Sequence, residues 1–350
     1  MSQRFLASIG VLTVASLMAI PIAAQTAKAG QRKAAAGVKS WTPPRTADGQ
    51  PDLQGVWANN SATPFERPKE FAGKEFFTDE EVASLKEAAA RIQNAGADAA
   101  FGDNFFAAAF KSAKESKISK TEGTGTYSTV WMVERDFDKR TSLIVDPPDG
   151  RLPALTPEAQ RRQAAAAAVR QRLTERPEDL PNLTRCINLS VPQIGGIVGA
   201  GYNSYYQILQ VPGYVVIATE LIHDARIIPL DGRPHLPQNV RQWNGDSRGR
   251  WDGHTLIVET TNYSPNSNYH GAAEKLHAIE RFTRAGPDTV DYEVTISDPT
   301  TWTRPWSAVA HLKQSQEKIY EYACHEGNTA MGGILAGARA TEKKAADSRR

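Results

Sequence analysis

From Tyr205 onward the chain is a succession of short segments rich in Val, Ile, Thr and Tyr, each closed by turn residues. YYQILQ ends at Pro212-Gly213, YVVIATELI at a polar corner, and ARIIPL at Asp231-Gly232. HTLIVETTN ends at a Pro/Asn/Ser loop, KLHAIERFT at Ala285-Gly286-Pro287 and TVDYEVTIS at Asp298-Pro299; SAVAHLKQ and KIYEYACHE follow. β-branched and aromatic residues suit a pleated, half-buried surface, and such punctuation marks strand ends. No helix-length apolar stripe separates the segments, which argues against crossover connections and predicts antiparallel pairing. Val290, Tyr292, Val294 and Ile296 alternate with Asp291, Glu293, Thr295 and Ser297, which gives that strand one wet face. The fold class is therefore mainly β. A meander of about seven or eight strands loses its exposed edges most economically by closing into a barrel, with a two-sheet sandwich as the alternative.

One segment breaks the pattern. In GDSRGRWDGHTLIVETTNY, residues 245–263, a charged knot precedes an apolar run. Asp252-Gly253 is tight-turn chemistry, and Gly245 and Gly249 permit a bend or bulge beside it. Asp246, Arg248, Arg250 and Asp252 can neutralise one another. The expected role is a structural corner whose outer edge touches a cavity mouth, bracketed by Trp243 and Trp251. Truncating a buried Trp251 to Ala should then cost about 3 to 5 kcal/mol.

Upstream, Thr78 and Glu81 form a capping box ahead of Val82, Leu85, Ala89 and Ile92 at helical spacing. A second helix starts at Thr156-Pro157 and runs through an alanine-rich stretch that makes a thin surface helix. Residues 127–146 read as two strands with a polar turn. The chain opens with Arg4, an apolar run from Phe5 to Ile22, and small-x-small sites at Ile22-Ala23-Ala24 and Ala27-Lys28-Ala29. That order is a secretory signal peptide, with an uncleaved anchor as the alternative, and it predicts a periplasmic protein. The organisation expected is a signal peptide over 1–29, a linker over 30–45, and a helical and strand region over 46–180 packing on the barrel. A barrel domain over 181–337 and a disordered charged tail over 338–350 complete it.

The 41 Lys and Arg face 39 Asp and Glu. Removing residues 1–29 takes Arg4 and Lys28 and no acid, which leaves 39 against 39. A neutral chain has no electrostatic footprint for nucleic acid or an anionic membrane. The expected partner is a small hydrophobic or aromatic ligand, with a homodimer possible. In an exported chain the two cysteines, Cys186 and Cys324, are most simply a disulfide; two buried thiols or a metal pair are the alternatives. Closing so long a loop gives roughly 4 to 5 kcal/mol by loop-closure entropy.

The candidate chemistry is acid–base catalysis without a cofactor. His223, Asp224 and Arg226 arrive together at a strand end, where a cavity would open. On KLHAIERFT, His277, Ile279 and Arg281 share one face and Leu276, Ala278, Glu280 and Phe282 the other, so one set carries a charge inward. That charge must be paired or must work. The catalytic candidates are His223 and His277 as general acid/base, Arg226 and Arg281 as anion holders, and Glu280. Tyr205, His235, Trp243 and Tyr322 are candidates for binding the substrate, alongside the aromatic supply of Tyr206, Trp251, Trp302 and Trp306. A His, an Arg and a Glu or Tyr suffice for a lyase (decarboxylase or dehydratase) or an isomerase acting on a small hydrophobic or aromatic organic acid or an oxygenated compound. The alternatives are a non-catalytic ligand-binding protein and a metal-dependent hydrolase using His223, Asp224, His235, His325 and Glu326. Glu220 and His223 fall on a predicted strand, where a spacing of three puts them on opposite faces, so no metal site is expected. GGIVGAG, residues 195–201, leads into a strand and not a helix, which argues against a nucleotide site.

WTPPRTADGQPDLQGVW, RTSLIVDPPDGRLPALTPEA, PGYVVIATELIHDARIIPLDGRPHLP, GDSRGRWDGHTLIVETTN, DPTTWTRPW and IYEYACHEGN together resemble a large family of mostly uncharacterised exported bacterial proteins. The resemblance spans about Trp41 to Gly337. It implies a shared fold and export, and it carries no mechanism. His254 stands where that family's pattern leads one to expect an acidic residue. Gly55-Val56-Trp57 is similar to the Gly-x-Trp that opens lipocalin-like barrels, so the barrel is expected to be of that type.

Overall fold

The computed structural model describes residues 41–94, 105–115, 135–170, 174–189, 191–194 and 204–348. The signal-peptide and most of the linker assignments, the start of the strand pair expected from 127, and the GGIVGAG run lie outside the described residues. Thr42 to Arg350 forms one compact unit.

Its frame is a ten-stranded antiparallel sheet. The strands are β1 (Gly55–Ala58), β2 (Ile144–Asp146), β3 (Tyr205–Val211), β4 (Tyr214–Thr219) and β5 (Ala225–Pro229), then β6 (Asp246–Asp252), β7 (Thr255–Thr261), β8 (His277–Gly286), β9 (Thr289–Ser297) and β10 (Trp306–Ser315). Their order is β5-β4-β3-β1-β10-β9-β8-β7-β6, with β2 pairing on β10. Two meanders, β3–β5 and β6–β10, are therefore joined through β1. Trp57 of β1 is fully buried, donates its indole N–H to Leu53 O at 2.8 Å and lies under the Arg284 guanidinium. The sheet thus reaches back to Gly55 and does not begin at 181, as the segment order suggested.

The sheet curls strongly. Arg226 of β5 bonds Glu280 of β8, although five strands lie between them in the sheet order. On a flat sheet those strands would stand about 30 Å apart, at about 4.8 Å per strand. Among the described residues the ladder does not close into a barrel, because β5 and β6 remain unpaired edges. They still approach one another: where a Gly249 Cβ would stand, Leu230 Cδ2 lies at 2.6 Å and Ile228 Cγ2 at 2.8 Å. Gly249 is needed for this close approach and not for a bend. The inner face is filled by Trp57, Tyr206, Ile208, Phe282, Tyr292 and Trp306 with their aliphatic neighbours.

Helix α1 (Asp79–Asn94) carries the expected capping box: Thr78 N–H donates to Glu81 Oε2 at 2.8 Å and Glu81 N–H to Thr78 Oγ1 at 3.3 Å. Its Leu85, Ala88 and Ile92 join Phe105, Phe106 and Ala109 of α2 (Phe105–Glu115) in a second small core. Helix α3 (Pro157–Arg170) begins at the Thr156 cap, which accepts from Ala159 N–H at 3.1 Å, and its alanines lie mainly exposed as expected. Helix α4 (Thr329–Asp347) is capped by Asn328 and covers the stretch expected as a disordered tail. Among the described residues four α-helices stand where two were anticipated. Residues 317–324 form no strand, although KIYEYACHE was expected to. Cys186 and Cys324 are disulfide-bonded, with Cα atoms 5.7 Å apart. The bond ties the segment before β3 to the one after β10.

Candidate functional site

The face alternation on β8 is the one its sequence dictates. Ala278, Glu280 and Phe282 are buried, while His277, Ile279 and Arg281 stand half-exposed on the outer face. The charge carried inward is Glu280, and it is paired. Its Oε1 accepts from Arg226 Nη2 at 2.9 Å and from the Tyr292 hydroxyl at 2.8 Å, and its Oε2 accepts from Arg226 Nη1. Burial works against the Arg226 charge, but the Glu280 carboxylate overrides it and holds the guanidinium above its ordinary pKa. Burial also pushes the surrounding phenols, Tyr206, Tyr263, Tyr269 and Tyr292, above theirs, so they remain protonated donors. With both carboxylate oxygens engaged and the residue fully buried, Glu280 anchors a structural ion pair, although Arg226 Nε and the Tyr263 and Tyr269 hydroxyls around it are buried without a partner.

The five catalytic candidates therefore do not form one site. Glu220 to Asp224 is a corner and not a strand, with Ile222 and His223 at positive φ. His223 is exposed there, and its Nδ1 lies 2.8 Å from the Tyr322 carbonyl oxygen. Tyr322 thus meets His223 through its backbone. His277 lies on the outer face, 2.8 Å from Glu259. Tyr205 is half-buried, and desolvation raises its phenol pKa. Trp243 is partly exposed, with its carbonyl accepting from the Ser267 hydroxyl at 2.7 Å. Neither joins Arg226 or Glu280.

A different group converges on the outer face. DSRGRWD is strand β6 itself and not a corner, turning through Gly253 into β7. On a strand, residues two apart share a face, so Arg248 and Arg250 point the same way. The register runs Arg250–Ile257–Arg281 in one row and Arg248–Glu259–Ile279 in the next. Ile257 and Ile279 thus lie among the arginines. Together with Arg233 and His235 from the loop after β5, these residues line a cavity of about 310 Å³.

His235 is fixed by its surroundings. Its Nδ1 lies 3.0 Å from Asp246 Oδ2, which also accepts from Leu236 N–H at 2.9 Å. Asp246 Oδ1 accepts from Arg248 Nη1 at 2.6 Å, and Arg248 Nε donates to Pro234 O at 3.0 Å. Asn262 donates to Leu236 O at 2.8 Å and holds the following turn. An acceptor at Nδ1 requires the proton there, so neutral His235 carries its lone pair on Nε2. That nitrogen is buried and has no hydrogen-bond partner. Arg250 is exposed and makes no ion pair among the described residues, and Arg281 reaches Glu293 only at 3.6 Å.

Of the expected site residues, His235 and Arg281 come together here; Arg248, Arg250 and Arg233 were not assigned to a site. A signal for them exists in the period-two spacing of Arg248/Arg250, Ile257/Glu259 and Ile279/Arg281. Among the described residues no three His, Cys, Asp or Glu side chains are grouped so as to hold a metal ion, and no helix is long and apolar enough to cross a membrane. Comparison with protein-family models, with curated proteins and with solved structures finds no match.

Proposed function

We propose that the protein is an exported, cofactor-independent lyase or isomerase that takes a small organic acid in the arginine-lined groove and moves a proton on it with His235. The observation that carries this is the His235–Asp246 pair on the wall of a cavity whose other side chains are mostly arginine and isoleucine. Asp246 holds the Nδ1 proton and leaves Nε2 as the base. Arg250 and Arg281 are the cations with least local compensation, and they hold the carboxylate. Ile257 and Ile279 supply an apolar floor for its ring or chain. The curled sheet is read as an incompletely closed barrel of lipocalin type, with the ligand outside because side chains fill the interior. Membership of the exported family, the signal peptide over 1–29 and a periplasmic location belong to the same reading; the disulfide is consistent with export.

A second reading, a non-catalytic binder, is favoured by the lack of exposed surface on His235 Nε2. The two are separated by titrating aromatic and aliphatic carboxylates onto the protein and following both binding and consumption. The enzyme reading expects a carboxylate that is consumed. It further expects Arg281→Gln to weaken its binding at least about tenfold, and His235→Gln to abolish consumption while binding persists. A carboxylate bound through Arg281 and never transformed establishes the binder. Carboxylate binding indifferent to Arg250→Gln and Arg281→Gln overturns both.

A further inference from the structure

The outer faces of the two meanders differ in chemistry. From β6 to β10 every strand turns a charge outward: Arg250, Glu259, Arg281, Glu293 and Lys313 in turn. On β3 to β5 the register sets Leu209 beside Val216 beside Ile227. The rows on either side, Val211–Tyr214–Pro229 and Gln207–Ala218–Ala225, add no charge. A strand face turned to water ordinarily carries polar residues, as β9 does with Asp291, Glu293 and Thr295. Here Leu209 is 42 % exposed, Val211 48 % and Ile227 67 %, the last being the most exposed large apolar side chain among the described residues. Three strands about 4.8 Å apart and five residues long make a patch of roughly 250 Å² before side-chain relief is counted. It continues to Val56 of β1, the neighbour of Gln207. A contiguous apolar patch of a few hundred Å² marks a contact surface.

We propose that the outer face of β3–β5 is the contact between two copies of this chain in a twofold dimer. With no charge and a single amide, the face offers nothing by which a charged foreign surface could be selected. It fits a second flat, uncharged β face, and each copy of the chain carries one. Two such faces pack about 10 Å apart with their strands nearly aligned, as the sheets of a sandwich do. A twofold axis sets the Leu209–Val216–Ile227 row against its own copy. The contact is face to face and not edge to edge, because Ile228 and Leu230 at the β5 edge lie against Gly249 of β6. The patch is smaller than the roughly 800 Å² per partner of a standard interface, so the dimer is reversible and of micromolar affinity. The chemistry of the arginine groove does not enter this argument.

The test is sedimentation velocity on the full chain from about 1 to about 300 µM. The parent is expected to pass from monomer to dimer across that range. Ile227→Glu puts a charge into the contact at a position open to solvent in the monomer. Its melting temperature should hold, while the dimer weakens at least about a hundredfold. Val211→Lys, at the other end of the patch, is expected to do the same, so the result does not hang on one variant. Ile334→Glu, on α4 and 41 % exposed, is expected to dimerise like the parent, which separates this face from other apolar surface. A parent that stays monomeric at the highest concentration overturns the proposal. So do Ile227→Glu and Val211→Lys variants that dimerise like the parent, and so does loss of the dimer in Ile334→Glu, which would place the contact on α4.

Discussion

Glu280 and Asp246 are both buried carboxylates that hold an arginine, and they lie on opposite faces of the same curled sheet. Glu280 engages both oxygens with Arg226 and Tyr292, and the unpartnered atom of the pair, Arg226 Nε, belongs to a residue that does not line the arginine groove. Asp246 divides its acceptors among Arg248, Leu236 and His235, and the last of these keeps an unused ring nitrogen. Burial of a charge alone does not mark a working residue. What differs is whether the network ends in a group with bonding capacity to spare beside a cavity.

The largest expected effect breaks the Glu280 ion pair. Glu280→Gln should destabilise by about 3 to 5 kcal/mol in urea unfolding, because it strands a buried guanidinium. Replacing both partners, as Arg226→Met with Glu280→Leu, should cost less, about 1 to 3 kcal/mol, since neither charge is then buried and what is lost is the acceptor of the Tyr292 hydroxyl. Equal losses in the single and double variants would mean that the ion pair is not what this region depends on. On the other face, Asp246→Asn should cost about 1 to 3 kcal/mol by weakening three hydrogen-bonded contacts. It should also shift the His235 ring nitrogens in ¹⁵N spectra from one tautomer to a mixture, which the Glu280 variants should not do. Gly249→Val tests the approach of the edges that lets Arg226 meet Glu280. The overlap with Leu230 and Ile228 should cost about 1 to 3 kcal/mol, and hydrogen exchange should rise in β5 and β6 first.

The smallest effect comes from outer-face pairs. Hydrogen bonding to Asp291 raises the His311 pKa, with burial opposing. A raised folded value means the contribution is fully present below the unfolded value of about 6.5 and is lost as pH rises through the folded one. Because the pair is exposed, the change across that window should be slight. His311→Gln should flatten it, whereas the Glu280 variants should leave it intact. A steep loss of stability through this window that survives His311→Gln would place the titrating group elsewhere.

Local signals in this chain were readable wherever the physics is local. The Thr78–Glu81 box, the Thr156 cap, the Gly253 turn and the in-out alternation of β8 and β9 each depend on residues within a few positions of one another. Helix α2 was not anticipated, although Phe105, Phe106 and Ala109 stand at helical spacing behind Asp103-Asn104, residue types that favour N-caps. The corner at Glu220 to Asp224 was harder, since it requires Ile222 and His223 at backbone angles that β-branched residues resist and that only the packed fold imposes.

The sequence by itself determined most of the strand-forming segments, though not β6 or the absence of a strand at KIYEYACHE, together with the antiparallel connections, the faces of β8 and β9 and the pairing of the cysteines, because pleat, turn chemistry and the count of thiols leave few options. Only the tertiary structure decided that β1 joins the two meanders, that Arg226 is the partner of Glu280, and that His235 stands with Asp246 beside Arg248. These choices depend on how far the sheet curls and which edges meet. That follows from summed twist and core volume over the whole chain, a quantity no short stretch of residues carries.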